Sequence, residues 1–231
     1  MNEDNRYEIK FILNELELLE AYCFIKSIGA FSPYPQRIIN SLYFDTVDFQ
    51  AVRDNLAGIS NRKKVRLRWY EMKDEETFSN VNLEIKYRNG RLGSKIRYQM
   101  PDSLNSTIYN YTARDLSKYV FNEVKKNDLE SDILSDIYIP ILFIQYKREY
   151  FEARNGLRIT IDNNISFRNI LQNTNVLNSS KLVYNEHIME LKFPIEMKDE
   201  VSQMIKMLNL TPKRHSKYLT GMSKLGYTLY I

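Results

Sequence analysis

One cysteine, Cys23, and two histidines, His187 and His215, are the only thiol and imidazole groups in this chain. A lone thiol makes no intramolecular disulfide, and these residues together do not complete a Cys/His zinc site, so any metal has to sit on carboxylates. Long apolar runs are missing as well. The longest, Ile137 to Ile144, is interrupted and far too short to span a bilayer. The opening Met1-Asn2-Glu3-Asp4-Asn5 has neither the basic nor the apolar segment of a secretion signal, which points to a cytoplasmic protein without direct membrane insertion. No internal repeat and no low-complexity linker divides the chain. No added basic arm is present to grip a nucleic-acid backbone, so nucleic acid is not an expected partner. Large net charge is absent too: 33 Lys and Arg stand against 29 Asp and Glu. Strong positive potential must therefore come from local clustering.

That clustering is written into the strands. Lys64-Val65-Arg66-Leu67-Arg68-Trp69, Leu83-Glu84-Ile85-Lys86-Tyr87-Arg88 and Lys95-Ile96-Arg97-Tyr98 alternate with a period of two, so one face of each strand is ionic. A half-buried strand usually mixes Ser, Thr, Lys, Glu and Gln on its polar face. Here Arg and Lys dominate and Glu is sparing. Like charges side by side on a sheet repel, and an anion that neutralises them lets such a face persist. The pattern predicts a polyanionic ligand.

The composition, 43% hydrophobic and 27% charged over 231 residues, is that of a chain with a sizeable core, read as one domain over 1–231. Arg6 to Ile12 alternates as a strand, with Arg6, Glu8 and Lys10 on one face. Asn14 caps a helix over Glu15 to Ile28, whose apolar residues include Leu16, Leu19, Ala21, Tyr22, Cys23, Ile25 and Ile28; Cys23 is placed in the core. Arg37 to Phe44 reads as a strand and Asp48 to Leu56 as a short helix. Asn89-Gly90 and Arg154-Asn155-Gly156 mark hairpins, the second pairing the strands that carry Arg148 and Arg158. Thr112 to Lys126 reads as an amphipathic helix, Asn127 to Asp136 as a short helix or solvated connection, and Leu171 to Ser180 as a surface loop. His187 to Phe193 is a strand with Glu190 and Lys192 on one face. Helices follow over Glu196 to Leu208 and Ser216 to Leu225. Strands joined by hairpins, with helices inserted, predict an antiparallel α+β fold. A sheet closed into a barrel would line an interior channel with the ionic faces.

Seven short motifs in order resemble the polyphosphate-polymerase domain of the vacuolar transporter chaperone (VTC) family. They are Ser41-Leu42-Tyr43-Phe44-Asp45-Thr46, Arg66-Leu67-Arg68-Trp69-Tyr70, Leu83-Glu84-Ile85-Lys86, Tyr146-x-Arg148-x-Tyr150-Phe151, Arg158-x-Thr160-x-Asp162, Met189-Glu190-Leu191-Lys192 and Ser216-Lys217-Tyr218. Arg6-Tyr7-Glu8-x-Lys10 resembles the Glu-x-Glu-Lys opening of the wider triphosphate tunnel metalloenzymes (the CYTH superfamily), with Arg6 at the first acidic position. The resemblance implies an eight-stranded antiparallel β-barrel tunnel with helices packed outside. It implies a polyphosphate polymerase that moves the γ-phosphate of ATP, or of another triphosphate, to a polyphosphate chain, with Mn²⁺ or Mg²⁺ as cofactor. Carried over by position, Lys10, Arg66, Arg68, Lys86, Arg148, Arg158 and Lys217 are the implied phosphate ligands in catalysis. Ser216 is an auxiliary donor, with Lys95, Arg97 and Lys192 further along the channel. Glu190 is the implied metal ligand, and Glu8 and Glu84 are additional candidates. The inositol-phosphate-sensing domain and transmembrane helices of membrane-bound relatives have no counterpart here, so the chain reads as the catalytic module.

Arg and Lys suit this role, the first as a planar fork matched to phosphate oxygens and the second as a compact point charge. Phosphoryl transfer needs positioning and charge neutralisation more than a nucleophilic side chain. Each residue keeps a structural alternative: Arg66 and Arg68 as a solvated strand face, Glu190 as an ion-pair partner of Lys192, and Glu8 and Glu84 as orienters of the cations. His187 and His215 read as structural, Arg88 as solvent-facing, and the tyrosines as packing. Two other functions share the residues. One is hydrolysis of triphosphate, nucleoside triphosphate or polyphosphate; the other is non-catalytic binding of polyphosphate, pyrophosphate or inositol phosphates.

Overall fold

Alternating apolar residues on the strands bury the outer face of a single antiparallel sheet and leave much of its concave face ionic. The computed structural model describes residues 6–71, 79–90, 92–127, 136–175 and 178–229. The strands are β1 (Arg6–Leu13), β2 (Arg37–Thr46), β3 (Asn61–Glu71), β4 (Ser79–Asn89), β5 (Leu92–Gln99), β6 (Tyr138–Glu152), β7 (Arg158–Asn169), β8 (Lys181–Tyr184) and β9 (His187–Pro194). Eight of them pair in the order β1-β9-β7-β6-β2-β3-β4-β5, every pair antiparallel, and β8 pairs with the far part of β7. The sheet curls into an eight-stranded half-barrel with helices packed outside and the Lys217–Lys224 helix on its concave side. Its end strands β1 and β5 are not hydrogen-bonded to each other among the described residues.

Both expected hairpins form. Gly90 and Gly156 hold positive φ, 57° and 88°, as their turns require. The Asn127 to Asp136 connection lies largely outside the described residues.

The apolar outer face carries two cores. Val65, Leu67, Trp69, Leu83 and Ile85 of β3 and β4 pack under α3 (Ser103–Thr107) and α4 (Ala113–Lys126). Phe11, Leu13, Ile159, Ile161, Met189 and Leu191 of β1, β7 and β9 pack under α1 (Glu15–Ser27) and α5 (Lys198–Ile205). The α1 start is a capping box: the Asn14 side chain accepts from the Glu17 amide, and the Glu17 carboxylate accepts from the Asn14 amide. The buried face of α1 differs from the expectation. Ala21, Phe24 and Ile25 are buried with Leu18 beside them, whereas Leu16 and Leu19 are 75% and 60% exposed and Cys23 is exposed rather than core. The helix carries two apolar stripes, and the sheet takes the one that includes Phe24. α5 is shorter than Glu196 to Leu208; a 3₁₀ turn, Ile195–Met197, precedes it and Leu208 and Leu210 fold back onto the core. No described helix is long and apolar enough to cross a membrane.

A third core lies on the concave side. α6 (Lys217–Lys224) sets Tyr218, Leu219 and Met222 against Tyr43, Leu142, Ile144, Phe167 and Ile188, with α2 (Gln50–Leu56) adding Ala51 and Val52. Ser216, expected as the first residue of α6, is its cap, and its side chain accepts from the Leu219 amide. Asp45, buried at the end of β2, accepts from the Ala51 and Val52 amides of α2 and from the Tyr218 hydroxyl. Gly221 sits so close to β6 and β7 that a β-carbon would lie 2.8 Å from side-chain carbons of Leu142 and Phe167. Gly221→Ala is therefore expected to lower stability by about 1–3 kcal/mol through overpacking. Thermal denaturation checks this; a melting temperature equal to wild type would show that the seat yields.

Candidate active site: a carboxylate-organised basic tunnel

Residues opposite each other in an antiparallel pair share a face. The registers Arg66 with Glu84 and Glu84 with Arg97 therefore bring three ionic side chains together on the concave face. Glu84 is 1% exposed. One of its oxygens accepts from Arg66 Nε and Nη2 at 2.9 and 2.6 Å, and the other accepts from Arg97 Nη2 at 3.1 Å and from Lys95 at 3.4 Å. Arg68 Nη1 approaches at 3.9 Å. Burial alone would raise the Glu84 carboxyl, but Arg66, Arg68 and Lys95 hold it well below the usual carboxylate range. Arg66 also donates to the Tyr43 hydroxyl, and Arg68 donates to Ser41 and to the Tyr146 hydroxyl.

The second knot is on β6, β7 and α6. Arg148 and Asp162 are opposite each other in the register. Asp162, 1% exposed, accepts from Arg148 Nε and Nη2 at 2.5 and 2.7 Å and pairs with Lys217 Nζ at 2.5 Å. Burial opposes its ionisation, yet Arg148 and Lys217 keep it below its ordinary value. Tyr146 lies under both cations, with its ring centre 5.3 Å from Arg148 and 4.9 Å from Lys217.

The third knot joins β1 and β9. Lys10 Nζ is 2.8 Å from Glu8 and 3.6 Å from Glu190, while Lys192 Nζ is 2.5 Å from Glu190 and 3.9 Å from Glu8. Glu190 is the deeper of the two; burial would raise its carboxyl, but Lys10, Lys192 and Arg148 push it well down. Glu8 is lowered less freely, because burial and the neighbouring Glu190 charge both oppose Lys10. Thr160, opposite Glu190 on β7, has a buried hydroxyl without a partner.

Every predicted site residue thus falls on the concave face or on the start of α6. Lys10, Arg66, Arg68, Arg148 and Lys217 are gathered inside. Lys95, Arg97 and Lys192 are 42%, 50% and 40% exposed, toward the rim. Arg158 and Lys86 are exposed, the first opposite Lys192 and the second opposite Lys64 and Lys95. Glu84 has its oxygens turned to four cations, apart from the Glu8/Glu190 pair. Arg88 is exposed and donates to the Gly90 carbonyl. His187 is held by Glu15 at 3.2 Å. His215 is buried, and burial with Lys217 and Lys10 nearby pushes its imidazole down to about 3, so it is neutral.

Three interior residues lacked an assigned role. Asp162 was legible: the Arg154-Asn155-Gly156 hairpin, once Glu152 is set opposite Arg158, puts Arg148 opposite Asp162. Lys64 shares the period-two series of Arg66 and Arg68. Tyr43, stacked on Tyr218 with ring centres 4.9 Å apart, orients Arg66; it lies in the first of the seven motifs, which gave it no role.

Glu8 and Glu190 offer hard oxygen donors side by side, which suits Mg²⁺ or Mn²⁺, ions commonly held by one or two carboxylates with water and phosphate oxygens completing the shell. No group of three or more His, Cys, Asp or Glu is placed for a metal among the described residues. The residues present therefore fit an ion shared with a phosphate ligand rather than one caged by protein alone.

A half-barrel whose concave wall is cationic and pinned by buried carboxylates defines a triphosphate tunnel fold. The same fold is found in a Hippeastrum protein described as a candidate adenylyl cyclase with a dominant triphosphatase activity, at 13% identity over 94% of this chain and 95% of that one, TM-score 0.53. It recurs in a candidate adenylate cyclase of Vibrio parahaemolyticus, at 12% identity over 96% and 99%, TM-score 0.53. A Pyrococcus horikoshii protein shares it at 13% identity over 95% and 98%, TM-score 0.50. Comparison with curated protein sequences finds no match. Residues 5–226 match the VTC domain family, and the chain belongs to that family.

Proposed function

We propose that this protein is a metal-dependent polyphosphate polymerase acting on ATP or a related triphosphate. The observation that carries an enzyme over simple binding is the Glu8/Glu190 pair at the tunnel wall, and membership of the VTC domain family favours the polymerase. In the proposed reaction an oxygen of the chain's terminal phosphate attacks the γ-phosphorus. The bond from that phosphorus to the β,γ-bridging oxygen breaks, and ADP leaves with the electron pair. Lys10, Arg66, Arg68, Lys86, Arg148, Arg158 and Lys217 neutralise and align the phosphates, which is most of what this chemistry asks of a protein. Lys95, Arg97, Lys192 and Ser216 guide the ligand at the mouth and at the α6 end. Glu84 and Asp162 hold the Arg forks in place. A divalent ion on Glu8 and Glu190 would add charge stabilisation at the phosphate oxygens.

The triphosphatase activity described for the Hippeastrum protein favours a second reading, hydrolysis, in which water replaces the chain end as nucleophile. Purified protein with ATP and Mn²⁺ or Mg²⁺ is expected to release ADP and build acid-labile phosphate polymer. ATP loss with orthophosphate as the sole phosphate product overturns the polymerase reading in favour of the hydrolase.

A further inference from the structure

Most cations buried in the tunnel rest on a carboxylate, but Lys64 does not. It points inward from β3 in the same series as Arg66 and Arg68, and among the described residues no carboxylate lies within 4 Å of its ammonium. Its contacts come from α6: Ser216 Oγ accepts from Nζ at 3.3 Å, and the Tyr218 ring centre lies 5.4 Å away. The charged groups facing it are Lys86 from β4, Lys10 from β1, and Arg62 and Arg66 of its own strand. A half-buried ammonium among four other cations calls for an anion. Ser216 adds a donor there. Its oxygen already accepts from Lys64 and from the Leu219 amide, which leaves its own proton to donate.

We propose that Lys64, with Ser216, binds the terminal phosphate of the polyanion in the tunnel, at the end that α6 fills. The inference rests on the triphosphate-binding reading of the site. The strand pattern sets Lys64 on the ionic face without a contact of its own, and the family resemblance assigns it no role. Burial, and then Lys86, Lys10, Arg62 and Arg66, push the free ammonium down to about 7. A phosphate beside it restores the charged form. Binding therefore takes up a proton at slightly alkaline pH, and affinity falls as pH rises above 7 because the ligand must then also drive protonation.

Isothermal titration of the full chain with tripolyphosphate, in buffers of different ionisation enthalpy between pH 7 and 8.5, tests this. Wild type is expected to take up close to one proton more than Lys64→Arg at pH 8. Its affinity should fall about tenfold more than that of Lys64→Arg across the range. Lys64→Met is expected to bind more weakly at pH 7 yet to melt at a higher temperature than wild type without ligand, since an unpaired cation is gone. If Lys64 merely braced α6 through Ser216, Lys64→Met would melt lower, and that result overturns the proposal. Equal proton uptake in wild type and Lys64→Arg overturns it too while leaving triphosphate binding intact. Failure of wild type to bind tripolyphosphate at all would remove the reading of the whole tunnel, and this inference with it.

Discussion

Asp162→Asn is expected to cost about 3–5 kcal/mol of folding stability, the effect of breaking a buried ion pair from one side. The substitution keeps the shape and removes only the charge, so Arg148 and Lys217, both against Tyr146, lose the carboxylate they share. Both cations would be held there by strand register and helix docking, with little freedom to reach water. Chemical denaturation with and without tripolyphosphate checks the prediction. The free variant should unfold far more readily than wild type, and saturating tripolyphosphate should recover more stability in the variant than in wild type. A loss under about 1 kcal/mol would mean that the two cations are not as confined as the contacts imply.

Glu190→Gln is expected to lower metal-dependent turnover of ATP by at least about 10²-fold, the scale on which a charged group at a phosphoryl-transfer site acts. Tripolyphosphate binding without metal should persist or tighten, because one negative charge facing the ligand has gone while Lys10, Lys192 and Arg148 remain. The split between lost turnover and kept binding is the diagnostic. Turnover equal to wild type would remove Glu190 from the metal site and favour a role confined to pairing with Lys192. Loss of both together would point to Glu190 as an organiser of Lys10 and Lys192.

Much of this arrangement is legible in the chain because strand period and hairpin turns are local signals. Val65, Leu67 and Trp69 had to face one way and Lys64, Arg66 and Arg68 the other. Asn89-Gly90 set β4 against β5, and with it Glu84 against Arg97. The last helix was legible over Ser216 to Leu225, and it forms over Lys217–Lys224 with Ser216 as its cap. The illegible part is what depends on which distant surfaces meet. The α1 sequence supports two apolar stripes, and only the shape of the sheet selects Phe24 over Leu16 and Leu19. Lys217 reaches Asp162 because α6 docks on the concave side, a contact across 55 positions that no periodicity encodes. The same holds for Lys64: its alternation was visible, but its want of a counter-ion shows only when β1, β3, β4 and α6 are assembled.

The exchange of partners that a ligand must make follows from the three carboxylate knots. On the proposed function, an orthophosphate in the tunnel would share the cations of one knot with Glu84, Asp162 or Glu190 and lose translational freedom for little return. A chain of phosphates engages several knots at once and loses that freedom once, so each further contact is an intramolecular event at high effective concentration. On the proposed function the walls are therefore expected to favour valency over charge density, retaining ligands long enough to reach from one knot to the next and releasing single phosphates.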